Sequence, residues 1–265
     1  MDDCNILKGS MVERKYEAGL VSVIMPVYNA ARFLPAALDS VLCQTCKNIE
    51  IVLVNDCSTD NSEEIIRRYQ QEHSNIVYHL QEYNQGAGAA RNKALEIASG
   101  QFVAFLDSDD AWYPDKIDRQ LALMSEKGSP FGYAAIEMVD EAGNQVKGKR
   151  EIKEECDYKY LLRNTIIATS SVVIDRSVLG DFRMPLRRGG QDYATWLMLL
   201  RKGVVACGIN EALVKYRLVN GSLSSNKLKS IKQVWEIQRE SGVGICSAVC
   251  NVLCFVINAL HKYLT

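Results

Sequence analysis

Three features that would place the chain in a common class of protein are missing from its 265 residues. Charge of one sign is not in excess, because 31 Lys and Arg nearly balance 32 Asp and Glu, and a net charge of -1 provides no general attraction to nucleic acid. Only three histidines occur, and no His cluster or second C-x-x-C pair accompanies Cys43 and Cys46, so these cysteines are expected to pack at a helix end and not to bind zinc. Neither a G-x-G-x-x-G pattern nor a P-loop lysine is present, so neither a dinucleotide-binding fold nor a P-loop enzyme is supported.

Long apolar runs are missing too. Residues 1–20 are polar and charged, without the apolar centre of a signal peptide or membrane anchor, and a flexible leader is predicted. No window has the length and purity of a membrane-spanning helix. The nine cysteines are scattered and odd in number, which favours free thiols in a reducing environment, and we therefore expect a cytoplasmic protein.

Residues 21–226 alternate short β-branched runs with longer helical stretches, which is typical of an α/β fold with a parallel sheet and crossover helices. The pattern in the second half of this range predicts a mixed sheet. Residues 227–265 are predicted to form a C-terminal helical extension. The predicted elements are strands at 21–27, 49–55, 76–80, 102–106 and 170–174, helices at 30–43, 58–69, 86–98 and 192–201, a hairpin turn within 139–146, and two strands within 204–216 that join near 210–211.

Polar side chains follow three of the predicted strands. Tyr28 and Asn29 follow the first strand, Asp56 follows the second, and the run Asp107-Ser108-Asp109-Asp110 follows the fourth. Ligands of open parallel sheets bind beyond the carboxyl ends of the strands, so one crevice is expected to collect these groups. Asp56 could accept a hydrogen bond from a base or a ribose, whereas Asp60 or Ser58 is expected to cap the next helix.

The acidic run predicts a metal site. Three carboxylates within four residues repel one another in a partly dry cleft, and a hard divalent cation with phosphate oxygens relieves that repulsion. Mg²⁺ or Mn²⁺ is the expected ion. The alternative is that the run caps a helix that begins near Trp112, because Asp is common before helices.

Six segments of the chain resemble, in order, the family 2 glycosyltransferases, an inverting group with the GT-A fold that builds bacterial polysaccharides and wall polymers. The likeness covers about residues 21–226, and it rests on residues 21–29, 54–60, 84–92, 105–110, 191–196 and 215–217. The resemblance implies a metal-dependent hexosyltransferase that uses Mn²⁺ or Mg²⁺. Its donor would be a nucleotide-diphosphate sugar such as a UDP-sugar, and its acceptor a hydroxyl of a saccharide or a lipid-linked molecule.

The resemblance also implies a role for each matching residue. Pro26, Tyr28 and Asn29 would line the nucleotide pocket, Asp56 would contact the base, and Arg91 would help to hold the nucleotide. Asp107 and Ser108 would contact the ribose or the donor sugar, and Asp109 would bind the metal. Arg217 would approach the diphosphate when the 220–226 loop closes. Asp192 would be the general base. The residue before the base is often acidic in this family and is Gln191 here, which is expected to alter the choice of acceptor.

Two other functions and one structural alternative remain open at this level. A sugar nucleotidyltransferase would be expected to carry a Gly-rich loop with a basic residue after the first strand, and residues 26–29 offer neither. A non-catalytic protein that binds nucleotide sugars or carbohydrates would not need both Asp109 and Asp192. Asp192 has the structural alternative of being the N-cap of its helix, and Trp196 is expected in the core.

The C-terminal segment 245–264 is predicted to be an amphipathic helix. Its polar residues fall on one helical stripe, namely Ser247, Asn251, Asn258, His261 and Lys262. The helix could lie in a membrane interface near a lipid-linked acceptor, at the inner face of the membrane, or it could pack on the catalytic domain or on a second copy of the chain. The lone His261 is assigned no ligand role.

Overall fold

A computed structural model describes residues 16–219 and 227–264, in which ten strands form one mixed sheet with helices on both faces. The strands are β1 Glu17–Val27, β2 Ile49–Asn55, β3 Ile76–Leu80, β4 Gly100–Phe105, β5 Ala111–Trp112, β6 Phe131–Val139, β7 Gln145–Arg150, β8 Glu155–Cys156, β9 Val173–Asp175 and β10 Ala206–Arg217. The helices are α1 Leu34–Leu42, α2 Ser62–Glu72, α3 Ala87–Ile97, α4 Lys116–Lys127, α5 Tyr158–Leu161, α6 Arg176–Leu179, α7 Gln191–Leu200, α8 Lys227–Glu240 and α9 Ile245–Leu264.

The sheet is parallel in its first half and mixed in its second. Its order is β3-β2-β1-β4-β9-β6-β10-β5, with β7 beside β6 and β8 beside β10. Strands β1 to β4 are parallel to one another, β9 runs antiparallel to both β4 and β6, and β10 is parallel to β6. The carboxyl ends of β1, β2 and β4 therefore lie side by side, as the sequence predicts.

Each central strand contributes to two cores because successive side chains of a strand point to opposite faces. In β4, Val103 and Phe105 pack with α3 and α7, while Ala104 packs with α1, α2 and α4 on the other face. Trp196 of α7 is 1% exposed and lies edge-on to Phe105 and Phe131, with ring centroids 5.4 Å apart in each pair. The expectation that Trp196 belongs to the core is therefore confirmed.

Two predicted strand regions were wrong. Residues 204–216 contain one strand, β10, which continues through Asn210 and Glu211 with shifts in register against β6, so these polar residues form a bulge and not a turn. Asn210 Oδ1 accepts a hydrogen bond from the backbone N of Ile152, which satisfies the bulge locally. The strand predicted at 170–174 is split into a 3₁₀ turn at Thr169–Ser171 and the short strand β9.

The other differences are smaller. The predicted hairpin is confirmed, since β6 and β7 pair antiparallel around residues 140–144. Strand β1 begins at Glu17, four residues before its predicted start, and the rest of the predicted leader, 1–15, lies outside the described residues together with the loop 220–226. Helix α2 begins at Ser62, and Asn61 occupies its N-cap position. Asp60 lies one residue earlier, and its Oδ1 accepts a hydrogen bond from the backbone N of Ser62. Cys43 and Cys46 are free thiols, and Cys43 is exposed at the end of α1.

Helix α9 packs on the protein through a face that mixes polar and apolar residues, and Ser247 of the predicted polar stripe is exposed. Asn251 Nδ2 donates to Gln238 Oε1 of α8, and Asn258 Nδ2 donates to the backbone O of Arg163. On the same side of the helix Ala248 is fully buried, and Val252 and Phe255 pack against the core. The side chains of His261 and Lys262 lie outside the described part of the structure. Among the described helices, none combines the length and apolar character needed to cross a membrane.

One buried lysine of the scaffold affects how the stability of the fold depends on pH. Lys116 is fully buried at the start of α4, and its Nζ has no hydrogen-bond partner among the described residues and lies 4.0 Å from the centroid of the Trp112 ring. Burial lowers the pKa of Lys116 well below its ordinary value. Between that lowered pKa and about 10.4 the unfolded chain binds more protons than the folded chain, so stability rises with pH over this window.

Replacement of this lysine should stabilise the fold. We expect Lys116→Met to raise the free energy of unfolding at neutral pH by about 1–3 kcal/mol, because methionine fills a similar volume without a charge to desolvate. Denaturant titrations at several pH values measure this, and the difference from the wild type should shrink as the pH rises. Lys127→Met, exposed at the end of the same helix, should change stability by less than about 0.5 kcal/mol. A destabilised Lys116→Met variant would show that the ammonium group contributes net stability.

Candidate active site

The loops after β1 and β2 are joined by hydrogen bonds at the crevice. Asn29 has a left-handed φ of 48°, and its Oδ1 accepts from the backbone N of Thr59 at 2.7 Å. Its own backbone N donates to Ser58 Oγ at 3.0 Å. Pro26 is buried at the end of β1, and the Tyr28 side chain is 53% exposed above it. These contacts fix the backbone around an exposed aromatic ring.

Asp56 is buried and holds the loop that precedes α3. Its Oδ1 accepts hydrogen bonds from Gln81 Nε2 at 2.5 Å and from the backbone N of Gln85 at 2.8 Å, and its Oδ2 accepts from the backbone N of Gly86 at 2.7 Å. Two carboxylate oxygens offer about four acceptor positions, so Oδ2 can accept one more bond. Sequence reasoning predicted that Asp56 contacts a base or a ribose, and it missed the contacts of Asp56 with this loop.

Removal of the Asp56 charge should affect the fold as well as the site. In Asp56→Asn the NH₂ group of the amide would face at least one of the three N–H donors that now bind the carboxylate, and that donor would lose its acceptor. We therefore expect Asp56→Asn to lower the free energy of unfolding by about 1–3 kcal/mol. Denaturant titration measures this loss. Glu82→Gln makes the same chemical change at an exposed position of the same loop and should leave stability within about 0.5 kcal/mol of the wild type. Equal stability of the two variants would contradict the role of Asp56 in holding the loop.

The four residues of the acidic run have different environments. Asp107 Oδ1 accepts from Arg91 Nη2 at 2.5 Å, and Ser108 is half-buried beside it. Burial and the charge of Asp107 raise the pKa of Asp109 to about 6, and no described side chain donates a hydrogen bond to the Asp109 carboxylate. Asp110 is buried, and its burial and the two neighbouring carboxylates raise its pKa well above the ordinary value. Negative charge is therefore in excess around Asp109.

Asp110 does not cap a helix, which contradicts the structural alternative for the acidic run. The run is followed by β5, and α4 begins only at Lys116. Asp110 Oδ1 instead accepts from the backbone N of Arg217 at 2.9 Å, and Oδ2 accepts from Ser170 Oγ at 2.5 Å. Asp110 thus joins residues 107–110, which we call the acidic loop, to the end of β10.

Arg217 lies across the open side of this loop. Its Nε donates to the backbone O of Asp109 at 2.8 Å, and its Nη1 donates to the backbone O atoms of Asp140 and Glu141 at 3.0 Å each. The guanidinium carbon is 5.0 Å from the centroid of the Phe33 ring. Arg217 therefore connects the acidic loop, the β6–β7 hairpin and the start of α1, and it brings a positive charge near Asp109.

Asp192 lies in the first turn of α7, and Gly190 occupies the N-cap position with a left-handed φ of 68°. The alternative in which Asp192 caps this helix is therefore wrong. Asp192 is half-buried, and its Oδ2 accepts a hydrogen bond from Thr169 Oγ1 at 3.0 Å. The next residue along the turn, Ser170, is hydrogen-bonded to Asp110 and to the backbone N of Asp107. Consecutive residues of one turn thus hold Asp192 and the acidic loop.

Arg91 makes a second connection between the acidic loop and α7. Its Nη2 binds Asp107, and its Nη1 donates to Gln191 Oε1 at 3.3 Å. Burial alone would lower the pKa of Arg91, but the charge of Asp107 raises it above its ordinary value. Helix α3 packs closely on Gln191, since a Cβ at Gly88 would lie 2.9 Å from the end of the Gln191 side chain and would displace it. Sequence reasoning missed Gln191 and the Thr169–Ser171 turn as partners of the site.

No set of three or more His, Cys, Asp and Glu side chains within residues 16–219 and 227–264 is arranged to hold a metal ion. The acidic loop offers fewer protein ligands than such a site requires. Any ion that binds here would take the rest of its coordination from a ligand such as a diphosphate or from water.

The sheet order and the acidic loop at its carboxyl edge define the GT-A class of glycosyltransferase folds. The chain resembles a Staphylococcus aureus TarS fragment, 1–349, solved in complex with UDP-GlcNAc, with a TM-score of 0.67 and 23% identity over 83% of this chain and 64% of that one. The chain thus spans just under two thirds of that fragment. It also resembles the mannosyltransferase PcManGT of Pyrobaculum calidifontis, solved with GDP-Man and Mn²⁺, with a TM-score of 0.64 and 17% identity over 91% of this chain and 75% of that one.

Residues 22–182 match the family model of glycosyl transferase family 2, and the chain belongs to that family. It is 45% identical to TuaG of Bacillus subtilis (strain 168), a glycosyltransferase assigned to teichuronic acid biosynthesis, over 83% of this chain and 88% of TuaG. It is 35% identical to WfgD of Escherichia coli, a UDP-Glc:alpha-D-GlcNAc-diphosphoundecaprenol beta-1,3-glucosyltransferase, over 92% of this chain and 95% of WfgD. The family predicted from the sequence is therefore confirmed, and it favours a glycosyltransferase over a nucleotidyltransferase.

Proposed function

We propose that the chain transfers a hexose from a UDP-sugar, with inversion at the anomeric carbon, to a hydroxyl of a lipid-linked saccharide. The observation that carries this proposal is the pair of bridges between the acidic loop and α7. Thr169 and Ser170 bind Asp192 and Asp110, and Arg91 binds Asp107 and Gln191. A carboxylate that can accept a proton is thereby held close to a loop suited to a metal-bound diphosphate.

The donor side of the proposal rests on the groups at the carboxyl edge of the sheet. Pro26, Tyr28 and Asn29 would line the nucleotide pocket, and Asp56 would accept a hydrogen bond from the base through the free position on Oδ2. Asp107 and Ser108 would contact the ribose or the donor sugar. The choice of UDP is supported by the TarS complex with UDP-GlcNAc and by the donor in the name of WfgD.

Arg91 and Arg217 contact different residues of the acidic loop, and both would act on the donor. Both Arg91 Nη atoms already bind protein groups, so we propose that Arg91 orients Asp107 towards the donor as well as helping to hold the nucleotide. Arg217 lies over the backbone of Asp109 and would approach the diphosphate. Its charge would offset the negative charge that develops on the leaving group.

The acidic loop fits a divalent cation, Mn²⁺ or Mg²⁺, held by Asp109 together with the diphosphate. The fit is supported by the surroundings of the Asp109 carboxylate, where burial and the charge of Asp107 raise the pKa to about 6 and no described side chain donates a hydrogen bond to it. PcManGT was solved with Mn²⁺ and a nucleotide sugar. Such an ion, when bound, neutralises charge on the departing diphosphate.

Asp192 would act as the general base. Its carboxylate takes the proton of the acceptor hydroxyl as that oxygen attacks the anomeric carbon, and the bond between the sugar and the diphosphate breaks with its electron pair on the diphosphate. Thr169 Oγ1 donates to one oxygen of Asp192 and would hold the carboxylate in place for the acceptor hydroxyl. A single displacement of this kind inverts the anomeric configuration.

A lipid-linked acceptor is proposed because WfgD and WfaP of Escherichia coli, at 35% and 34% identity, are named for transfer to a GlcNAc-diphosphoundecaprenol. The test is release of UDP from a panel of UDP-sugars with Mn²⁺, in the presence of saccharide diphosphate lipids. Acceptor-dependent UDP release that stops in excess chelator is the expected result. Synthesis of nucleotide sugar from a sugar phosphate and a nucleoside triphosphate would indicate a nucleotidyltransferase instead.

A further inference from the structure

Two buried side chains hold the turn at Thr169–Ser171. Trp112 Nε1 donates a hydrogen bond to the backbone O of Ser170 at 2.8 Å, and Gln120 Nε2 donates to the backbone O of Ser171 at 2.9 Å. Trp112 belongs to β5 and Gln120 to α4, and we call these two residues the turn support. They are 4% and 1% exposed, so almost none of their surface is available to a substrate.

The same turn binds the candidate active site through its side chains. Ser170 Oγ accepts a hydrogen bond from the backbone N of Asp107 and donates one to Asp110, and Thr169 Oγ1 donates to Asp192. The carbonyl groups of the turn thus bind the turn support, while its hydroxyl groups bind the proposed base and the acidic loop. A shift of the turn would therefore move Asp192 relative to the acidic loop.

Stability alone does not account for an amide at position 120. Gln120 Nε2 satisfies one buried carbonyl group, which would stabilise the fold without any effect on transfer. Gln120 Oε1, however, is buried without a hydrogen-bond partner in the described part of the chain, and an unpaired buried amide oxygen is unfavourable. The loss at Oε1 offsets the gain at Nε2. What remains specific to glutamine is the hold on the turn.

We propose that Trp112 and Gln120 are positioning residues for sugar transfer, which fix the Thr169–Ser171 turn and, through it, the place of Asp192 relative to the acidic loop. This inference rests on the proposed function, in which Asp192 is the general base. Such a base must lie within hydrogen-bond reach of the hydroxyl that it deprotonates. A misplacement of about 1 Å lowers a rate by up to about 10²-fold.

The base depends on the turn more than the acidic loop does. The acidic loop has two further anchors, Arg91 Nη2 and the backbone N of Arg217. Among the described residues, only Thr169 donates a hydrogen bond to the Asp192 carboxylate. Loss of the turn support should therefore slow the transfer step and leave the binding of UDP almost unchanged.

The test uses Gln120→Met and Trp112→Phe, each of which removes the N–H donor and keeps a large apolar side chain in the core. We expect kcat for transfer to fall by about five- to thirty-fold in each variant. Affinity for UDP with Mn²⁺ should stay within about two-fold of the wild type. Steady-state transfer assays and calorimetric titration with UDP measure these quantities.

A second comparison asks whether the effect passes through Thr169. In a Thr169→Val background the link between the turn and the base is already broken. Gln120→Met should then lower kcat by less than about two-fold further, because the two substitutions act on one path. A general loss of packing would give the same factor in both backgrounds.

The matched control is Met124→Ala, one turn further along α4 and also buried. The substitution leaves a cavity, so it should lower the denaturation midpoint at least as much as Gln120→Met does. It should leave kcat within about two-fold of the wild type, because Met124 has no described contact with the turn. This control separates a loss of stability from a loss of positioning.

Hydrogen–deuterium exchange provides a measurement that does not depend on activity. Gln120→Met should speed the exchange of residues 168–172 by about ten-fold and leave that of β2 unchanged. Exchange equal to that of the wild type in residues 168–172 would overturn the proposal, even if no donor supports transfer.

Three kinetic results would also overturn it. These are wild-type kcat in both Gln120→Met and Trp112→Phe, an equal factor for Gln120→Met with and without Thr169, and a loss of kcat in Met124→Ala as large as that in Gln120→Met. Each of these results, with Asp192→Asn inactive, leaves the proposed transferase function standing. Transfer by Asp192→Asn at the wild-type rate would instead remove the proposed base, and with it the role of the turn support in transfer.

Discussion

Asp192→Asn is expected to lower the rate of sugar transfer by about 10²–10⁴-fold, because the amide cannot take the proton of the acceptor hydroxyl. Affinity for UDP in the presence of Mn²⁺ should stay within about two-fold of the wild type, since the substitution leaves the acidic loop unchanged. Steady-state transfer assays and calorimetric titration with UDP measure the two quantities. The amide can still accept the hydrogen bond from Thr169, so α7 should keep its position.

The matched control for this variant is Glu126→Gln, a carboxylate-to-amide change on the exposed side of α4. It should leave both the rate and the affinity unchanged. Thr169→Val should give an intermediate loss of rate, because the base remains but loses the hydrogen bond that orients it. Transfer by Asp192→Asn at the wild-type rate would remove Asp192 as the base.

Asp109→Asn is expected to lower the rate of transfer by about 10²–10³-fold and to abolish the dependence of UDP affinity on Mn²⁺. An amide oxygen is a neutral and weaker ligand for a hard divalent cation than a carboxylate is. Titration of UDP with Mn²⁺ and with excess chelator measures this. In the wild type the two affinities should differ, and in the variant they should coincide.

Asp110→Asn provides the contrast to Asp109→Asn within the same loop. Asp110 is buried and already bonded to the backbone N of Arg217 and to Ser170 Oγ, and an asparagine can keep both contacts by accepting from Arg217 and donating to Ser170. We therefore expect a loss of rate of less than about ten-fold and an intact Mn²⁺ effect. A larger loss in Asp110→Asn than in Asp109→Asn would reverse the assignment of the metal ligand.

The parallel half of the fold could be predicted from the sequence because its strands are continuous apolar runs and its helices have regular apolar spacing. Residues 102–106 illustrate this, since an uninterrupted apolar run is what a strand covered on both faces requires. Strand β10 could not be predicted in the same way. Its bulge contains Asn210 and Glu211, which look like a turn in sequence, and only the pairing with β6 shows that the strand continues.

The strand ends that form the crevice could be predicted, but the contacts within it could not. A sequence shows that Asp56 follows a strand, yet it cannot show that three donors from residues 81–86 surround the carboxylate. Gln191 was noticed for its lack of charge, and its contact with Arg91 depends on the packing of α3 against α7. Long-range contacts of this kind have no local pattern.

The C-terminal helix shows the same limit most clearly. The helical period identified its polar stripe but not the direction in which the stripe points, because amphipathicity alone does not say which face meets the protein. Asn251 and Asn258 point inward because Gln238, Arg163 and Asn164 offer them partners. The side chains of Ile245, Val249, Leu253 and Ile257 are exposed on the other side of the helix.

The most direct test of the proposed transferase mechanism is the anomeric configuration of the product, determined by proton NMR after transfer from an α-linked UDP-sugar to a saccharide diphosphate lipid. A single displacement with Asp192 as the base predicts a β-linked product, and it predicts that Asp192→Asn forms this product only at a strongly reduced rate. An α-linked product would contradict the mechanism, because retention requires a second displacement or a different reaction path.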